Sequence, residues 1–243
     1  MNYGPWVAQA VKHFWEVRAR QHKSQGAVSG RKDAGLRSAV TGGKHLDGFI
    51  NLFSSLLADA DLPRSSIHTR TATLPGYFRP TKKWDLVVVV DGILLASIEF
   101  KAQVGPSFGN NFNNRVEEAL GNSSDILTAY REGKFAPSQR PWLGWLMLLE
   151  ETQKSMTPVR IDEPHFPVFP EFHDSSYVDR YRIFCERLMR ERLYDAACLL
   201  LSDSETGLAG EFREPSRETD FGNFADSLIA HAIAFSRRRE RGS

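Results

Sequence analysis

The sequence predicts a chain of mixed α and β content, and three observations carry that expectation. Leu86-Val87-Val88-Val89-Val90, Asp91-Gly92 and Ile93 to Phe100 read as strand, turn and strand. Apolar residues recur at helical spacing in several other segments. Trp142 to Glu150 is a third hydrophobic strand candidate. Five β-friendly residues in a row predict a strand buried on both faces, and Asp-Gly is a turn pair because both residues tolerate positive φ.

Taken in order, Val7, Ala10, Val11, Phe14 and Trp15 predict an opening amphipathic helix. Residues 22–44 are Gly-, Ser-, Lys- and Arg-rich and predict a long loop, whose Lys44 and neighbouring cations could track phosphates or simply be solvated. Leu46, Phe49, Ile50, Phe53, Leu56 and Leu57 form a second helical stripe with Asp47 at its first turn. Asp47 fits either a favourable charge at a helix N-terminus or a further acid entering a site from beneath the hairpin. Ser66 to Thr71 reads as a short strand. Residues 74–83 hold too much Pro and Gly for a regular element, and bring two aromatics with Arg79, Lys82 and Lys83 up to Asp85. That mixture suits contact with a nucleic-acid backbone, or an irregular lead into a strand.

Gln103 is followed by a Gly-Pro-Ser-Phe-Gly run, and then Asn110, Asn111, Asn113, Asn114 and Arg115 precede a helix through Val116, Ala119, Leu120, Leu127 and Tyr130. Asn and Arg can read adenine and guanine bidentately in the major groove, whereas Asn and Gly also make turns and caps. Glu117-Glu118 read as partners of the helix dipole. Residues 151–174 read as loop, Tyr177 to Leu201 as one or two helices broken near Arg192, and Asn223 to Phe235 as a last helix with a frayed basic end. No repeat or interior boundary is visible, so a single domain over residues 1–243 is expected.

The chemistry gathers on the hairpin. Side chains alternate along a strand, so Glu99 and Lys101 share a face, about 6–7 Å apart. Asp85 joins them only if residue 85 pairs with residue 99. A strict two-residue Asp91-Gly92 loop pairs 90 with 93 and would put Asp85 on the other face. The arrangement therefore requires an odd-length loop or a β-bulge near the site. With that register, two carboxylates converge to bind a hard divalent cation beside a lysine, the equipment for metal-assisted phosphodiester hydrolysis. Without it, Asp85 merely opens a strand and Glu99–Lys101 is an edge ion pair.

Composition bounds the alternatives. The chain has 243 residues and net charge +1. Residues 1–101 hold 14 Lys+Arg against 8 Asp+Glu, and the remainder 17 against 22. A basic half around the hairpin suits a phosphate backbone. No apolar run spans a membrane and no signal-peptide pattern opens the chain, so a cytoplasmic location is expected, with Cys185 and Cys198 as reduced core residues in helical context. The seven histidines show no zinc-ligand spacing with the cysteines. There is no phosphate loop, dinucleotide fingerprint or Gly-x-Ser-x-Gly elbow, so no nucleotide cofactor is expected.

Leu74 to Asp85, Ile98-Glu99-Phe100-Lys101, and the string Gly-Pro-Ser-Phe-Gly-Asn-Asn-Phe-Asn-Asn-Arg ending at Arg115 resemble the XhoI-type family of type II restriction endonucleases. Asp47-Gly48-Phe49 and the Pro164 to Pro170 tract are similar to family segments too. The likeness covers most of residues 5–190. It implies a PD-(D/E)xK nuclease fold, a mixed central β-sheet flanked by helices. It implies a restriction-system homodimer that cuts double-stranded DNA at 5′-CTCGAG with Mg²⁺. It assigns Asp85 and Glu99 as metal carboxylates and Lys101 as the catalytic lysine, and lends weight to Asp47 as a possible additional acid; in the mechanism that follows from it, the Phe100 carbonyl is a possible further ligand. Gln103, Asn110, Asn111, Asn113, Asn114, Arg115, Arg79, Lys82, Lys83 and Lys44 are the expected DNA contacts. One departure stands out: Trp84 occupies the place of the usual Pro. A non-catalytic DNA-binding protein on the same fold, and a nuclease that recognises DNA structure, are the alternatives.

Overall fold

The computed structural model describes residues 2–28, 44–60 and 62–242. Its centre is a five-stranded sheet in the order β1-β4-β5-β6-β7. These strands are β1 (Ile67–His68), β4 (Leu86–Val90), β5 (Ile93–Gln103), β6 (Trp142–Glu150) and β7 (Ala196–Ser202). β1, β4 and β5 pair antiparallel, whereas β5, β6 and β7 run parallel. A second, two-stranded sheet joins β2 (Thr73–Pro75) to β3 (Thr81–Lys83). The sheet is therefore mixed, as expected, with its antiparallel part at one edge.

Helices cover both faces, which is why the central strands read as continuous apolar runs. α1 (Gly4–Val28), α2 (Asp47–Asp59) and α6 (Phe221–Gly242) bury Phe14, Phe53 and Phe224 with Leu86, Val88, Ile98, Phe100 and Leu146 on one face. α3 (Phe108–Arg131) and α5 (Tyr177–Arg190) bury Ala119, Ile126, Tyr181 and Leu188 with Val87, Trp145, Met147 and Leu199 on the other. From Ala96 onward, even and odd positions of β5 thus serve different layers. Phe100 packs against Phe53, with ring centroids 5.4 Å apart, while Glu99 and Lys101 face the layer of α3 and α5.

The Asp91-Gly92 turn has two residues, with positive φ at both, and Val90 pairs with Ile93. A bulge between Val88 and Val89 then changes the register, so that Val88 pairs with Ala96, Val87 with Ser97 and Leu86 with Ile98. Leu95 is the surplus residue, and both it and Ala96 enter the same core layer. Of the two devices that could align Asp85 with Glu99, the chain uses the bulge.

Several boundaries differ from expectation. α1 continues through residues 22–28, assigned above to a loop, and residues 29–43 of that segment lie outside the described residues. The 74–83 stretch is a hairpin, because the loop between β2 and β3 absorbs Gly76 and Pro80. The Ser66–Thr71 strand shrinks to Ile67–His68. Residues 153–156 form a short helix, α4 (Gln153–Met156), inside the expected loop. The largest miss is β7: its Ala and Leu suggested helix, but Arg192 turns the chain at φ 55° and a fully buried parallel strand follows. Ala196 to Leu201 has good helix propensity, which burial between two helix layers overrides. Cys198 is accordingly in a strand; both cysteines are buried and free. Among the described residues no helix is long and apolar enough to cross a membrane.

Close packing at β6 supplies a stability test. A Cβ on Gly144 would come within 2.5 Å of the Trp142 ring and 2.6 Å of Phe224. We expect Gly144→Ala to cost about 1–3 kcal/mol in urea unfolding, since overpacking forces ring and backbone shifts. An unchanged midpoint would mean that this layer is looser than described.

Candidate active site

Asp85 sits one residue before β4, and the Leu86–Ile98 pairing places it opposite Glu99. Its Oδ2 accepts the Phe100 N–H at 2.8 Å. Within a strand, the N–H and C=O of one residue point to the same edge, so the Phe100 carbonyl also leaves β5 toward Asp85. Two carboxylates and one carbonyl therefore converge where the β4 ladder stops.

Glu99 is buried and carries two cations. Lys101 Nζ donates to its Oε1 at 2.5 Å, and Lys82 Nζ donates to both oxygens at 3.0 Å. Lys101 also lies 3.8 Å from Glu118 on α3. Each lysine rests on an indole: Lys82 on Trp84 at 5.1 Å and Lys101 on Trp145 at 5.9 Å. Trp84 donates its N–H to the Ala72 carbonyl at 2.8 Å. Proline has no N–H and could not make that bond.

Burial, and then the neighbouring Glu99, push the Asp85 carboxyl from 3.8 up to about 6, against the pull of Lys101, the Phe100 N–H and Lys82. Burial alone would lower the Lys101 ammonium, but Glu99 and Asp85 outweigh it and hold it above its ordinary value. Two carboxylates facing each other thus favour either a proton or a cation between them.

Among the described residues no three His, Cys, Asp or Glu side chains gather into a metal cage. Magnesium does not require one. It characteristically takes one or two carboxylates and completes its octahedron with water and substrate phosphate. Asp85, Glu99 and the Phe100 carbonyl fit that donor set.

The other expected residues divide. Asp47 does not join this cluster: it is exposed at the first turn of α2, in the helix layer packed on the opposite face of the sheet. Gln103 is 2% exposed. It donates to the Phe108 carbonyl at 3.0 Å and accepts from the Tyr181 hydroxyl, so it is a buried tie between β5, α3 and α5 rather than a groove contact. Arg79 is held by Asp125 at 2.8 Å and Asn122 at 2.7 Å. Lys82 belongs to Glu99, and Arg115 pairs with Glu118. Lys83, Asn110, Asn113 and Asn114 are exposed, with the asparagines in the first two turns of α3 rather than ahead of it. Asn111 is half-buried. Lys44 opens the turn before α2, and its side chain lies outside the described residues.

Sequence reasoning missed a polar stripe on α3. Asn111, Arg115, Glu118, Asn122 and Asp125 recur every three or four residues, on one side of the helix. Glu118 meets the site and Asp125 the β2–β3 loop. The signal was available: two of these residues, Asn122 and Asp125, are polar at positions where an amphipathic helix should bury apolar side chains.

A mixed sheet between two helix layers, with two acids and a lysine gathered at the end of one hairpin, is consistent with a restriction-endonuclease-like fold. The family model for restriction endonuclease XhoI matches residues 25–214, and the chain belongs to that family. The type II restriction enzyme BstVI of Geobacillus stearothermophilus is 50% identical over 206 residues, covering 82% of this chain and 92% of that one. The type II restriction enzyme XhoI of Xanthomonas vasicola is 43% identical over 191 residues, 77% of this chain and 76% of its own. The type II restriction enzyme AbrI of Azospirillum brasilense is 49% identical over 167 residues, 68% and 74% respectively. No solved structure matches the chain significantly.

The raised Asp85 carboxyl has a consequence for stability. An acid with a higher pKa folded than unfolded binds more protons folded between about pH 4 and 6, so its contribution falls as pH rises through that window. Asp85→Asn escapes the loss. In chelator, the thermal midpoint of Asp85→Asn relative to the native chain should therefore be higher at about pH 7 than at about pH 4.5. Equal differences at the two pH values would show that Asp85 ionises like an ordinary surface carboxylate.

Proposed function

We propose that this enzyme hydrolyses double-stranded DNA at the palindrome 5′-CTCGAG, with Mg²⁺ held by Asp85, Glu99 and the Phe100 carbonyl. The observation that carries this reading is the bulged register, which sets Asp85 opposite Glu99 and beside Lys101. Family membership supplies the reaction class, and the names of the relatives supply the restriction role: defence of a prokaryotic host against foreign DNA.

When bound, the divalent cation supplies Lewis acidity and charge neutralisation at the scissile phosphate. The chain's own groups do the rest. Lys101, kept protonated by Glu99 and Asp85, positions the attacking water and offsets charge on the pentacovalent phosphate. Lys82, the second cation on Glu99, neutralises that buried carboxylate. Glu118, within reach of Lys101, limits where the ammonium can swing. Exposed Asn110, Asn113 and Asn114 at the start of α3 are the base-reading candidates. Lys83 is the candidate phosphate contact of the β2–β3 hairpin.

A palindrome has two equivalent strands, so a two-fold homodimer would bring one such centre to each. In this reading the chain acts as a single domain in the cytoplasm, without nucleotide cofactor.

The test is digestion of a plasmid carrying one 5′-CTCGAG site. Linearisation with Mg²⁺, none with chelator, and cut ends mapping within the hexamer are expected. Cutting in chelator, or at scattered positions, would contradict the reading. Lys101→Ala should bind the duplex within a few-fold of the native chain yet cut at least 10³-fold more slowly, an effect on the order of 4 kcal/mol in the barrier. Ordinary turnover by Lys101→Ala would remove the lysine from the chemistry.

A further inference from the structure

Tyr77 and Phe78 stand at the tip of the β2–β3 hairpin, 53% and 72% exposed, with ring centroids 5.0 Å apart. Exposed aromatics usually sit on adaptable loops, but this loop is pinned. Asp125, 3% exposed on α3, accepts the N–H groups of Tyr77 and Phe78 at 2.7 and 2.8 Å. Arg79 Nε donates to its second oxygen at 2.8 Å, and Asn122 holds the other arm of the guanidinium. Burial would raise the Asp125 carboxyl, but those donors outweigh it and keep it below its ordinary value. Even Gly76 is part of the fit: a Cβ there would meet the Asp125 carboxylate at 2.4 Å. A buried charge and three donated hydrogen bonds thus hold two apolar rings in water, where they gain nothing for the fold itself.

The position of the tip identifies its partner. The base of the same hairpin carries Lys82, which binds Glu99, and the hairpin leads directly into Asp85. Asp125 lies seven residues beyond Glu118, two helical turns and about 10 Å along α3. The α3 stripe that touches Lys101 through Glu118 is thus the same one that fastens the tip through Asp125, so the rings stand on the same side of the sheet as the proposed catalytic centre. Of the three cations expected to reach phosphate from this segment, Arg79 and Lys82 are committed to Asp125 and Glu99, and Lys83 stands at the base of the hairpin, away from its tip. What the tip presents outward is apolar.

We propose that Tyr77 and Phe78 contact the bases of the duplex near the cleaved step, as an apolar wedge seated in a groove. This rests on the nuclease reading above and adds an element that does not depend on charge. Neutral and cationic contacts differ in one observable. Loss of a phosphate-binding lysine flattens the dependence of affinity on salt, whereas loss of an apolar contact lowers affinity at every salt concentration and leaves the slope unchanged.

The experiment measures binding of a fluorescent duplex containing 5′-CTCGAG across a salt series, in the full-length Lys101→Ala chain with and without Phe78→Ala. Cleavage is followed in parallel in the otherwise native chain. We expect Phe78→Ala to weaken binding at least tenfold with an unchanged salt slope and an unchanged thermal midpoint, and Phe78→Leu to recover part of the loss. Affinity within twofold of the parent, or a loss accompanied by a flatter slope, would overturn the proposal. If Phe78→Ala lowers the midpoint, Tyr77→Ala is judged by the same two criteria. A native chain that cuts the site while Phe78→Ala binds like its parent refutes the wedge alone. A native chain that neither binds nor cuts duplex DNA refutes the nuclease reading as well.

Discussion

Val88 pairs with Ala96 and Val89 with Leu94, which leaves Leu95 without a partner of its own. That surplus residue decides which carboxylates share a face of the sheet. The two-residue Asp91-Gly92 turn by itself would direct Asp85 toward the layer of α1 and α2, where Phe100 meets Phe53. The bulge changes the parity of the pairing, and Asp85 instead faces the layer of α3 and α5 with Glu99 and Lys101. Turn geometry and active-site geometry make conflicting demands on this hairpin. One extra residue, absorbed by the core through Leu95 and Ala96, reconciles them.

Glu99 shows how the site tolerates buried charge. Taking a carboxylate out of water is costly unless it is paired and hydrogen-bonded. Lys82 and Lys101 both reach it, and each ammonium is set over an indole that shields it from solvent. Asp85 receives a backbone N–H and only the more distant fields of these lysines, which is why its carboxyl rises while the ammonium of Lys101 is reinforced. α3 extends the same electrostatic logic outward. Glu118 closes over Lys101 at one end of the stripe, and Asp125 fastens the β2–β3 loop two turns further on. One helix thus connects the candidate chemistry with the candidate DNA-contacting tip.

The hairpin was legible in the sequence because its signals are local: a run of β-branched residues, an Asp-Gly turn and a Glu-x-Lys alternation. The need for either an odd-length loop or a bulge followed from counting residues, and the two-residue turn settles it as the bulge. β7 was illegible because Ala, Cys and Leu carry no strand preference; only burial between two helix layers makes Ala196–Ser202 a strand. The roles of Arg79, Lys82, Arg115 and Gln103 were also hidden. Each is a polar residue near the site in sequence, and nothing local distinguishes a side chain directed at DNA from one bound to Asp125, Glu99, Glu118 or Tyr181. Those partners lie up to 78 residues away along the chain. Asp47 keeps the simpler of its two readings: it is the acid in the first turn of α2, a helix packed in the layer of Phe53 and Phe100.

The central claim is that Asp85, Glu99 and the Phe100 carbonyl form one cation site. Paramagnetic broadening of backbone amide NMR signals by substoichiometric Mn²⁺ tests it without DNA or turnover. The account predicts that the Phe100 amide and its neighbours in β5 broaden first, and that Asp85→Asn combined with Glu99→Gln abolishes the effect. Broadening centred on α2 around Asp47 or on α3 around Glu118, or broadening at Phe100 that survives both substitutions, would contradict it.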